Sequence, residues 1–190
     1  MQQQPKIILG IDPGTLIMGY AILDVRTPLM KVPVMDALKM NPRKDNYERL
    51  QMIYEKVSGI IEKYHPDCLA IEAPFFGKNV QSMLKLGRAQ GVAIAASMRS
   101  GLPVMEYAPR KVKQSITGNG NAAKEQVWKM IQQLVPRIGN ESQPFDASDA
   151  LAVALCHYYE CRSPVQKRNK KAADWETFLR DNPGKLRRSK

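Results

Sequence analysis

Two stretches set the terms on which this chain can fold. KIILGID (6–12) and DCLAIEAP (67–74) are apolar without polar alternation once past their first residues, Lys6 and Asp67, and each then carries one acid toward its C-terminal end, Asp12 and Glu72. Short unbroken apolar runs bounded by turn signals read as buried strands, and Pro13-Gly14 supplies such a signal directly after Asp12. A carboxylate placed at the end of a buried strand costs free energy unless a positive group meets it. The fold must therefore bury two acid-bearing strands and provide for their charge.

The remaining segments say what surrounds those strands. GYAILDV (19–25) alternates enough to be a strand returning from the first turn. MKVPVMDAL (30–38) is a third, with Pro33 confining it to a sheet edge or a bulge. Three strands joined by short connections make an antiparallel meander. From 45 to 64 the period changes to that of a helix, with Leu50, Ile53, Val57, Ile60, Ile61 and Tyr64 on one side and Asp45 or Asn46 as cap. A long helix over 79–101 follows the second acidic strand. LPVMEYAP (102–109) is a further strand, and 111–135 reads as two helices split by a Gly-Asn loop. The order β-β-β-α-β-α-β-α-α-α predicts an α/β fold, a mixed five-stranded sheet flanked by helices on both faces.

The last helix begins in PFDASDALAVALCHYY (144–159). Asp146 and Asp149 stand at its entrance, and no Lys or Arg occurs between Arg137 and Arg162. Side chains at i and i+3 share one helix face, so two like charges are set side by side against an apolar body. If 6–12 and 67–74 are neighbours, Asp12 and Glu72 meet. If the last helix crosses that edge, Asp146 and Asp149 join them. A divalent cation removes the repulsion of four converging acids, and oxygen-only ligands select a hard ion such as Mg²⁺. Taken singly, Asp12 reads as a turn residue and Asp146 as a helix cap. The set of four is explained together by one metal site.

Composition narrows the class. The 190 residues suit one domain with a full core and a tail. The boundary falls at 162: residues 1–162 form the domain, and in 163–190 the apolar period stops and nine cations face three acids, a basic and flexible arm. The net charge of +11 points to a polyanionic partner, most commonly nucleic acid. Cys68, Cys156 and Cys161 are an odd set in apolar surroundings, which speaks for a reducing compartment rather than a disulfide framework. The N-terminus lacks the pattern of a signal peptide, and no stretch approaches the ~20 apolar residues of a membrane span. A soluble cytoplasmic protein is expected, with no membrane partner.

Four stretches together carry a family resemblance. IILGIDPGTLIMGYAILD, LAIEAPFFGKNVQSMLKLGRAQGVAI, EYAPRKVKQSITGNGNAAKEQV and DASDALAVALCH occur in the order and with the acids of the RuvC family, the bacterial Holliday-junction resolvases. The resemblance runs from about residue 6 to about 162. It implies a ribonuclease-H-like fold, a homodimer, and metal-dependent paired nicking of four-way DNA junctions in recombination and repair, leaving 5′-phosphate and 3′-hydroxyl ends. It implies Asp12, Glu72, Asp146 and Asp149 as catalytic acids and ligands of two Mg²⁺ ions, with Mn²⁺ able to substitute. It implies Phe75 as the residue that stacks on bases near the junction centre, and Lys113 and Lys124 as contacts to the scissile region. Phe76, Lys78 and Asn79 belong to the same DNA-facing segment. Arg110 and Lys111 are further candidates for phosphate contact. The RuvAB branch-migration complex is the partner that the family suggests. Rival readings remain: another ribonuclease-H-like nuclease, an actin-like nucleotide-binding enzyme suggested by GIDPGT, and a DNA-binding module in which the acids are caps and turns.

Overall fold

The computed structural model describes residues 5–74, 79–135, 138 and 145–162. The elements run β1 (Ile7–Asp12), β2 (Ile17–Asp24), β3 (Lys31–Lys39), α1 (Asn46–Tyr64), β4 (Cys68–Glu72), α2 (Val80–Arg99), β5 (Val104–Tyr107), α3 (Pro109–Thr117), α4 (Lys124–Leu134) and α5 (Phe145–Arg162). The five strands form one sheet in the order β3-β2-β1-β4-β5. The meander β1-β2-β3 is antiparallel, whereas β4 and β5 add in parallel to β1. The expected order of elements holds, and β3 with its Pro33 is an edge strand. The last strand is shorter than its sequence suggests. It stops at Tyr107, because Pro109 opens α3, where its missing N–H and fixed φ suit a first helical position.

Both faces of the sheet are covered. Successive side chains of a strand point to opposite faces. In β1, Ile8 packs with α3, α4 and α5, while Leu9 and Ile11 pack with α1 and α2. In β4, Cys68 and Ala70 join the first cluster and Leu69 and Ile71 the second. Helix α1 starts as its sequence demands: Asp45 accepts from the Tyr47 and Glu48 N–H groups, and Glu48 accepts in return from the Asp45 N–H at 3.1 Å. Helix α5 differs from the other helices. It is apolar all round, and residues 150–156 are all fully buried, as befits a helix pressed onto the middle of a sheet.

Two glycines let α5 come that close. A Cβ at Gly10 of β1 would overlap the Ala150 carbonyl oxygen, and one at Gly19 of β2 would overlap the Asp146 carbonyl oxygen. Gly19 pairs with Asp12 in the β1–β2 ladder. The absent side chains thus let the acidic end of α5 settle over the acidic end of β1. Among the described residues no helix is long and apolar enough to cross a membrane. The arm 163–190 lies outside the described residues.

Candidate active site

Strand register brings the first two acids together. β1 and β4 run parallel with Ile11 beside Ile71, so Asp12 and Glu72 are the next neighbours along the two strands. Alternation from Ile8 and Gly10, and from Cys68 and Ala70, turns both carboxylates toward the α5 face. Asp149 comes to the same place one turn into α5. Asp12, Glu72 and Asp149 line one pocket of about 360 Å³, together with Lys113, Lys124, Pro109, Val112, Val127 and Ala152. Three separate elements supply the acids, and α3 and α4 supply the lysines.

The charge balance in this pocket is strained. Asp12 is pushed from the ordinary carboxylate value of 3.8 up to about 8, first by burial and then by the charges of Glu72 and Asp149, with Lys124 opposing and Asp146 adding least. Glu72 rises from 4.5 to about 7, again first by burial and then by Asp149, while Lys124 and Lys113 pull the other way. Lys124 Nζ lies 2.5 Å from Asp149 Oδ2. Burial works against its charge, but the hydrogen bond and charge of Asp149 win and hold the ammonium above its usual value. This lysine also sits on the first residue of α4, where the helix dipole disfavours a cation, and its helix has only Ala123 as cap. Its placement serves the pocket at some expense to the helix.

Not every candidate residue reaches the pocket. Asp146 lies in the first turn of α5 with its backbone over Gly19, and it does not line the cavity, although Asp12 senses its charge. Asn79 caps α2 by accepting from the Ser82 N–H at 3.1 Å, a structural use that the sequence did not single out. Lys111 is taken by Glu160 of α5 at 2.7 Å and does not line the pocket. Arg110 packs over Gly120 instead of lining the pocket. Phe75, Phe76 and Lys78 lie outside the described residues. Gly10 and Gly19, which decide where α5 sits, carry no chemistry that a motif would flag.

The donor set fits a hard divalent cation. Every side-chain donor lining the pocket other than the two lysines is a carboxylate oxygen, with no His or Cys among them. The carboxylates ring the pocket instead of converging on a point: among the described residues no three Asp, Glu, His or Cys side chains stand together as a ligand cluster for one ion. Lys124 offsets part of the negative charge that Asp12 and Glu72 feel there.

Residues 8–157 match the family described as crossover junction endodeoxyribonuclease RuvC. The chain belongs to the RuvC family. It is 50% identical over 182 residues to the RuvC of Christiangramia forsetii, covering 96% of this chain and 93% of that protein. It is likewise 50% identical over 184 residues to the RuvC of Bacteroides fragilis, covering 96% of each. Among solved structures, Thermus thermophilus RuvC in complex with a Holliday junction substrate superposes with a TM-score of 0.76 at 30% identity, over 83% of this chain and 96% of that one. The yeast mitochondrial Holliday junction resolvase shares the fold at a TM-score of 0.59 and 12% identity. The pocket of Asp12, Glu72 and Asp149 is thus an acidic site on a RuvC fold of the ribonuclease-H-like class, with helices on both faces of a mixed five-stranded sheet.

Proposed function

We propose that this chain is an endonuclease that resolves four-way DNA junctions, with Asp12, Glu72 and Asp149 as its metal-binding acids. The observation that carries the reading is the pocket itself: three carboxylates from β1, β4 and α5 line it with two lysines beside them, and burial first, then neighbouring acids, raises Asp12 and Glu72 above the usual carboxylate range. A structural set of caps and turns would not be assembled from three elements at such cost. A nucleotide-binding enzyme would need a second phosphate loop, and the sequence offers none.

Divalent ions, Mg²⁺ in the first place, would activate water and neutralise the leaving oxygen when bound in this pocket. The chain's own groups do the rest. Asp12 lies on the central strand of the sheet and senses the charges of both Glu72 and Asp149, so it would be the central acid in holding the ions. Glu72 and Asp149 would hold the ions with it, and Asp146 would add negative charge from the edge of the site. Lys124 balances Asp149 and, with ions bound, would be available to the scissile phosphate. Lys113 reaches the same pocket from α3 and adds a second cation for that phosphate. Phe75, just beyond β4, would stack on a base at the junction centre, worth about 1–3 kcal/mol.

Paired nicks at a two-fold symmetric junction call for a two-fold dimer. The outer face of α2 offers the surface: Val80, Leu84 and Met98 are 66, 59 and 64% exposed, with Gly87 and Gly91 between them open to close approach. A second copy of this chain is the proposed occupant.

The deciding experiment incubates a synthetic four-way junction, a matched linear duplex and an RNA–DNA hybrid with wild-type chain and with Asp149→Asn, in Mg²⁺ and in EDTA. Paired ligatable nicks on the junction, absent in EDTA and in the variant although the variant still binds, are expected. Cutting by Asp149→Asn would remove this acid from the site, and equal cutting of the hybrid would make the chain a different nuclease of the same fold.

A further inference from the structure

A second cationic surface shares the active-site end of the sheet, and neither the pocket nor the sequence motifs account for it. β3 runs in the same direction as β1, with β2 antiparallel between them. Asp12 pairs with Gly19, Gly19 with Ala37, and Ile17 with Lys39. Lys39 therefore lies two strands to the side of Asp12 and two residues further along, a backbone separation of about 12 Å from strand spacings of ~4.8 Å and rises of ~3.3 Å. Val34 and Leu38 pack toward α1 and α2, so alternation turns Lys39 to the opposite face, the one that carries Asp12 and Glu72.

The chain after Lys39 stays at this edge. The Met40 N–H donates to the Leu16 carbonyl in the turn that follows Asp12, at 2.8 Å. A tight turn at 41–44 then displays Arg43, closed by Lys44 N–H to Asn41 O at 3.1 Å and Arg43 N–H to Asn41 Oδ1 at 2.9 Å. Arg49 Nη1 braces the turn through the Pro42 carbonyl at 3.3 Å. The acids nearby are engaged elsewhere. Asp45 and Glu48 cap α1, Glu48 also faces Lys44, and Asp36 accepts from the Tyr20 hydroxyl. Lys39 and Arg43 are exposed and have no ion pair among the described residues. Behind them Asn46 Nδ2 and Arg49 Nε are buried donors without an acceptor among the described residues. The edge is rich in donors and cations and poor in acceptors, the complement of a phosphodiester backbone.

We propose that Lys39 and Arg43 form a phosphate rim that grips the backbone of one junction arm to the side of the scissile phosphate, with the Lys39 backbone about 12 Å from that of Asp12. This rests on the junction-cutting reading above and adds to it the place where an arm leaves the site. Lys39 and Arg43 act as binding residues and touch no reacting atom.

The test is a salt titration of binding to a labelled four-way junction in EDTA, between about 50 and 200 mM salt, for wild type, Lys39→Ala with Arg43→Ala, Lys39→Arg with Arg43→Lys, and Lys31→Ala. Lys31 is exposed at the opposite end of the same strand and serves as the control. The double alanine variant should lower the slope of log affinity against log salt by about 2, which shrinks the loss of affinity across that range by about tenfold. The charge-conserving pair should keep the wild-type slope, as should Lys31→Ala. An unchanged slope in the double alanine variant overturns the rim. An equal drop in Lys31→Ala also overturns it, because the effect would then be one of net charge. Failure of the wild type to prefer the junction over linear duplex would instead refute the functional reading on which the rim depends.

Discussion

The crowding of carboxylates at the active site has a measurable consequence for stability. Replacing Asp12 by Asn removes one buried charge and keeps the shape. Asp12 is shifted from 3.8 to about 8 by burial and by Glu72 and Asp149. A group whose folded-state value lies above its unfolded value holds its proton more tightly in the native state. Its contribution is therefore intact below about pH 4 and is lost as pH rises through about 8. That window of about four units sets a ceiling of about 6 kcal/mol, at 1.36 kcal/mol per unit. Glu72 titrates in the same range and shares the strain, and Lys124 already offsets part of it, so about 2–3 kcal/mol is the gain expected for Asp12→Asn at pH 8. For a domain of this size that is a rise in melting temperature of about 5–10 °C. The assay is thermal unfolding without metal, followed by circular dichroism at pH 4, 6 and 8. The variant should match wild type at pH 4 and exceed it increasingly toward pH 8. Mg²⁺ should then raise the melting temperature of wild type more than that of the variant, because ions bind the native site and Asn offers them less. A variant that melts at or below wild type at pH 8, by a margin independent of pH, would show that Asp12 is a turn residue and that the crowding argument is wrong.

Lys124→Ala should lose the 2.5 Å pair with Asp149 and slow junction cleavage by about 10²-fold at saturating substrate, since a cation beside the scissile phosphate disappears; single-turnover kinetics would detect it. Lys113→Ala should act in the same direction while leaving the melting temperature near wild type, and normal turnover would return Lys113 to the solvated surface. Gly10→Ala forces a methyl into the Ala150 carbonyl and should cost about 1–3 kcal/mol or more, read as a lower midpoint in urea. The same variant should also weaken Mg²⁺ stabilisation, because α5 cannot move away from β1 without carrying Asp149 off the pocket. Phe75→Ala should slow cutting of junctions and leave the unfolding midpoint unchanged; a large drop in stability with normal cutting would place this ring in the core.

How much of this was legible in the sequence depends on the range of the interactions. Local signals sufficed for the elements. Apolar runs, the capping box of Asp45 and Glu48, and the edge-restricting Pro33 each act within a few residues, and the five strands and five helices follow from them. The acids stood out for a local reason as well, since a charge inside an apolar run is conspicuous without any fold. What the sequence left open was convergence. Whether Asp12 meets Glu72 depends on a parallel pairing between strands more than fifty residues apart, and whether Asp149 joins them depends on two glycines that admit α5. Of the four acids, Asp12, Glu72 and Asp149 line the pocket, whereas Asp146, one helical turn before Asp149, sets its backbone over Gly19. Lys124 and Lys111 look alike as surface lysines in the chain, yet tertiary packing gives one to Asp149 and the other to Glu160. Residue types and their periods determined which elements form and which groups are chemically unusual. Which of those groups share a pocket was decided by register and close packing, which depend on distance in space and not along the chain.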